Sequence, residues 1–84
     1  MNKLHRDIDK IDDKIFKLLK DRFSKAKQIA EVKKFCNDKV TNKDREDAIL
    51  ARASSSDYLQ FKDELEAVYE TIFEQMKKLQ LKDM

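Results

Sequence analysis

The stretch LHRDIDKIDDKIFKLLKDRFSKAKQIAEVKKFC, Leu4 to Cys36, decides the fold of this 84-residue chain. Its apolar residues recur as Leu4, Ile8, Ile11, Ile15 and Leu18, then Ala26, Ile29 and Cys36. Those spacings mark one face of a helix. Two cations interrupt the stripe, Arg22 between Leu18 and Ala26, and Lys33 between Ile29 and Cys36. They stand eleven residues apart, about three turns, so a helix projects them from nearly the same side. Cations buried without anionic partners are costly. Such a face calls for internal carboxylates or for an anionic ligand.

The rest of the chain agrees with a helical reading. It contains no Gly and no Pro, so helix breakers and the usual β-hairpin turn residues are both missing. Charged residues make up 43%, the profile of a long-helix protein of one domain, residues 1–84. A chain this short builds only a small core by itself. A helix of about 33 residues would reach roughly 50 Å, which no compact monomer of this size can cover. A second copy is the expected cover, giving a homodimer. The net charge of +2, with signs interspersed, supplies no field for a nucleic-acid backbone. The single Cys36 forms no intrachain disulfide, and one Cys with one His does not suggest a metal site. No apolar run matches a membrane span, and the first residues lack a signal-peptide core. The expected compartment is the cytoplasm.

Helix 1 is expected from about Asn2 to Cys36, with Asp13, Lys17, Asp21 and Lys25 as a charge ladder on its solvent side. Asn37 to Val40 should end it, with Asn37 as a left-handed cap. Thr41 or Asn42 then caps a short helix 2 running to about Ala53, with Ile49, Leu50 and Ala53 inward and Asp44 in its first turn. Ser54, Ser55 and Ser56 read as a connection. Asp57 with Gln60 forms a capping-box pattern for helix 3, which should span about Asp57 to Leu81. Its expected stripe is Tyr58, Phe61, Leu65, Val68, Ile72, Met76 and Leu79, with Tyr69, Phe73 and Gln80 flanking it and Lys77, Lys78 and Lys82 trailing toward its C-terminal end. The fold class is all-α: a long, a short and a medium helix per chain.

Arg22, Lys33, Arg45 and Gln80 are the polar groups that need explaining. Three are cations and one is a neutral amide donor, a set suited to a small dianion, since Arg offers a fork for a carboxylate and Lys a point charge. No nucleophile sits beside a base. Each residue also has a plainer reading. The Arg22 and Lys33 stems could pack while their heads reach water. Arg45 and Glu46 suit an exposed short helix, Gln80 a wet helix end, and Met76 a core position.

The run Leu4-His5-Arg6-Asp7-Ile8-Asp9-Lys10-Ile11-Asp12, then Ile15, Leu18, Leu19, Arg22, Ala26, Ile29 and Lys33, then Arg45-Glu46, then Gln80, resembles the all-helical chorismate mutases. The pattern covers nearly the whole chain. The resemblance implies intertwined homodimers of three-helix chains, with two active sites built from both subunits and no cofactor. By position it implies that Arg22 clamps a substrate carboxylate and that Lys33 reaches a carboxylate and the ether oxygen. Gln80 would donate a second hydrogen bond to that oxygen. Glu46 would accept from the ring hydroxyl, helped by backbone near Asn42, and Arg45 would join the cationic wall. Three positions depart from the family. His5 stands seven residues before Asp12, where an Arg is usual that reaches into the partner's site. Met76 stands four before Gln80, where a small polar residue is common, and Asn42 replaces an aspartate.

The reaction implied is the Claisen rearrangement of chorismate to prephenate, which needs no base, nucleophile, metal or cofactor. His5 could replace the missing Arg only when protonated. Two other readings stand beside it. One is an isochorismate pyruvate lyase on the same scaffold. The other is a helical dimerisation or regulatory module without catalysis, against which the cations on the seam argue.

Overall fold

The computed structural model describes residues 2–36 and 43–82, with side chains from 2–32 and 43–82. The described residues form three α-helices and two short 3-10 turns, with no strand among them. α1 runs Asn2–Cys36, α2 runs Lys43–Ala51 and α3 runs Lys62–Lys82. The bounds of α1 follow from a stretch without a helix breaker. The expected helix end at Asn37 to Val40 and the cap at Thr41 or Asn42 lie outside the described residues.

Helix 2 is shorter than the pattern predicts. Its end tightens into a 3-10 turn, Arg52–Ser54, and Ser55 then turns extended at φ −68° and ψ 158°. The start of α3 is displaced as well. Ser55 donates its N–H to Arg52, Tyr58 to Ser55 and Phe61 to Tyr58, all within 3.1 Å. These i to i+3 bonds make a chain of tight turns that includes a 3-10 turn at Leu59–Phe61. The expected capping box of Asp57 and Gln60 therefore does not open a helix. Helical geometry begins at Lys62, where Asp63 and Glu64 place negative charge at the N-terminal dipole.

α3 packs along the C-terminal half of α1, and α2 with the 3-10 turn after it packs on α3. Among the described side chains of α1, Ala26 and Ala30 are the buried ones, and their small size lets α3 approach closely. Ile72 and Phe73 of α3, with Ala53 after α2, complete the buried apolar set. The expected stripe of α3 is thereby corrected. Tyr58, Phe61 and Val68 are exposed, whereas Phe73 and Gln80, expected to flank it, are buried. Ile49 and Leu50 are half-buried and Ala53 is buried, as expected.

The molecule measures 50 × 25 × 15 Å, and its long axis matches the length of α1. At about 1.5 Å per residue, the 21 residues of α3 span roughly 31 Å and fall short of it. Every residue from 2 to 18 is exposed. That includes Leu4, Ile8, Ile11, Ile15 and Leu18, each 46% to 64% accessible. The apolar stripe read from the sequence is real, but its N-terminal half is covered by nothing among the described residues. Among the described residues no helix is long and apolar enough to cross a membrane.

Candidate active site

A cleft of about 540 Å³ opens where the three helices meet. α1 contributes Asp21, Arg22, Lys25 and Ile29. α2 contributes Arg45, Glu46 and Ile49, and α3 contributes Phe73, Met76, Lys77 and Gln80. The residues from α3 follow the i, i+3, i+4, i+7 pattern, so one helical face supplies them all. Four of the lining residues are cations and two are carboxylates, which leaves the described wall with two net positive charges.

Arg22 is held by aromatic faces. Its guanidinium carbon lies 5.6 Å from the centre of the Tyr69 ring and 6.0 Å from that of Phe73. The two rings are tilted by 58° with centroids 5.9 Å apart, an arrangement that fixes both. The π faces attract the cation without neutralising it. Its Nε is buried and has no hydrogen-bond partner among the described residues. Leaving such a donor unpaired typically costs about 1–3 kcal/mol, more for a charged group. The fork is therefore positioned for an acceptor that the described residues do not supply.

Gln80 is only 5% exposed, which excludes the wet helix end. Its Nε2 donates to the carbonyl oxygen of Ala26 at 3.3 Å. The bond crosses from α3 to α1 at a residue whose missing side chain bulk lets the amide in. Nε2 carries two hydrogens, so one bond leaves a second for the cleft that Gln80 lines.

Glu46 stands in the first turn of α2, where the helix dipole favours its charge. Its side chain is 16% exposed and pairs with Lys77 of α3, Nζ to Oε2, at 3.4 Å. Arg45 is exposed at the rim of the same cleft, and Met76 is half-buried in its wall.

The cleft thus gathers Arg22, Arg45, Glu46, Met76 and Gln80 from the residues singled out in the sequence. His5 is not among them. It is exposed on a regular stretch of α1, 17 residues before Arg22, or about 25 Å along the axis. Within one chain it does not reach this cleft. Arg6, one residue on, is exposed too, and the regular first turn gives it no route into His5's direction. Lys33 belongs to α1, but its side chain lies outside the described residues, as does Asn42 altogether.

Lys77, Lys25 and Asp21 also line the cleft and were not anticipated there. From the sequence Lys77 is one of the lysines trailing toward the C-terminal end of α3. Its spacing, four after Phe73 and three before Gln80, carries the signal that places it. Asp21 and Lys25 close the charge ladder of α1; both are exposed, as expected, and stand at the edge of the cleft.

An all-α chain of one long, one short and one medium helix, closing on a cationic cleft, is the class that fold and site define. The chain belongs to the chorismate mutase type II family, whose family model matches residues 4–81. No curated protein and no solved structure matches it in the corresponding comparisons.

Proposed function

We propose that this chain is a chorismate mutase, an isomerase that converts chorismate to prephenate in the cytoplasm as a homodimer of single 84-residue domains. The observation that carries the reading is Arg22: a buried, unpaired guanidinium Nε in a cleft whose described wall is net positive. A dicarboxylate supplies the missing acceptor and balances the two charges.

The rearrangement is unimolecular. A C–O bond breaks while a C–C bond forms, and electrons shift around a six-membered ring without an external base. The protein must hold the flexible enolpyruvyl ether in its compact form. Arg22 grips a carboxylate through its fork, with its plane set by Tyr69 and Phe73. Gln80 directs an N–H at the ether oxygen, where negative charge grows as the C–O bond lengthens. Lys33, about three turns beyond Arg22, adds a second donor to that oxygen by the family pattern. Donors aimed at charge that develops in the transition state lower the barrier. Glu46 accepts from the ring hydroxyl, Arg45 extends the cationic wall, backbone near Asn42 assists Glu46, and Met76 shapes the apolar side.

A second copy completes the structure. The exposed stripe from Leu4 to Leu18 is too long and too apolar to stay wet, and an equivalent helix of another copy is its natural cover. Intertwining of this kind would carry His5 toward the partner's cleft, the one route by which it could meet substrate. The test is to incubate the purified protein with chorismate and, separately, with isochorismate. Prephenate formed from chorismate without pyruvate supports the mutase. Pyruvate released from isochorismate alone would assign a lyase, and no reaction with either would leave a non-catalytic module.

A further inference from the structure

We propose that Lys77 is a positioning residue of the cleft, whose ammonium offsets the Glu46 carboxylate so that a dianion can bind beside it. The proposal rests on the mutase reading and adds a residue to which that reading gives no role.

Glu46 presents a difficulty for a site that takes a dicarboxylate. Its side chain is largely buried in the cleft wall, and an unmatched carboxylate there would repel an incoming dianion through a poorly screened path. Lys77 resolves this from the opposite helix. Its Nζ meets Oε2 of Glu46 at 3.4 Å, across the gap between α3 and α2. The salt bridges Lys43–Asp47, Lys62–Glu66 and Lys78–Glu74 each join residues four apart on one helix, whereas this one links two elements. It sits between Met76 and Gln80 on the face that lines the cleft. A carboxylate accepts through two oxygens, so a contact at Oε2 does not exhaust Glu46 as an acceptor for a hydroxyl. The pair keeps that acceptor in place and removes its repulsion. Since substrate and transition state carry the same two carboxylates, the effect falls on binding of both and hence on KM.

The experiment compares wild type with Lys77→Met, Lys77→Arg and the double variant Lys77→Met/Glu46→Gln. It reads KM and kcat for chorismate, and prephenate affinity by calorimetry, at one fixed ionic strength. Circular dichroism and mass measurement establish that each variant is folded. Lys77→Met should raise KM and weaken prephenate binding about fivefold or more, with kcat changed far less. Lys77→Arg should stay near wild type. The double variant should regain prephenate affinity relative to Lys77→Met, because the uncompensated charge is gone. A purely structural clamp between α2 and α3 would not be rescued by deleting its partner. Wild-type kinetics in Lys77→Met, or a double variant no better than Lys77→Met, would overturn the role of Lys77 while leaving the mutase intact. A wild-type protein that neither turns over chorismate nor binds prephenate would overturn both. Should Lys77→Met not fold, Lys77→Gln takes its place in the same comparison.

Discussion

The side-chain nitrogen of Gln80 lies 3.3 Å from the carbonyl oxygen of Ala26, joining the last turn of α3 to the C-terminal half of α1. One amide thus does two things: it pins two helices and lines the cleft. Gln80→Ala should therefore act twice. Losing the buried bond should lower stability by about 1 kcal/mol. Losing a donor aimed at the ether oxygen should cut kcat by about a hundredfold or more. Thermal melts and chorismate kinetics on the same sample separate the two effects.

Arg22→Lys tests whether the guanidinium fork matters or only its charge. A lysine keeps the charge but loses the planar group stacked on Tyr69 and Phe73 and the paired donors for a carboxylate. Steady-state kinetics should show kcat/KM falling by about tenfold or more, the scale of a lost charge-assisted hydrogen bond. A lysine variant as active as the parent would mean that the aromatic cradle has no part in binding.

The uncovered half of α1 predicts that folding and association are one event. Ile11 is 54% exposed within a chain, and Ile11→Asp would place a charge on the face assigned to a second copy. The variant should lose mass at the dimer position in sedimentation and lose helicity with it, since the remaining core is small. Wild-type melting temperature should rise with protein concentration. A variant that stays dimeric with an unchanged melt would place the interface elsewhere.

His5 stands where the resembling family usually has an Arg, on an exposed part of α1 about 25 Å along the axis from Arg22 in its own cleft. If it serves the partner's site, His5→Arg should raise kcat/KM by supplying a guanidinium fork for a carboxylate. Steady-state chorismate kinetics on the two proteins, side by side, should show the gain. Equal kcat/KM would make His5 a bystander.

Much of this was legible in the sequence, for reasons that differ by residue. The bounds of α1 were readable because nothing between Asn2 and Cys36 breaks a helix, and the interrupted stripe pointed to Arg22. The start of α3 was not readable. Asp57 and Gln60 have the right spacing for a cap, but Ser55 and Tyr58 accept bonds three residues on and hold the chain in tighter turns until Lys62. The buried face of α3 was misjudged by part of a turn. Local pattern made Tyr58, Phe61 and Val68 as apolar as Ile72, while the docking of α3 on α1 buries Phe73 and Gln80 instead. Lys77 escaped notice because its role depends on where α2 docks, and single-helix periodicity does not encode that.

The central claim is that Arg22 waits in a positive cleft for a carboxylate of chorismate. Its most direct test is the initial rate of chorismate loss, measured side by side for wild type and Arg22→Ala at matched concentrations of folded protein. The account predicts saturable conversion by wild type and at least about a hundredfold lower kcat/KM in the variant, as loss of a charged contact to substrate entails. Equal rates in the two proteins, or no conversion by wild type, would contradict it.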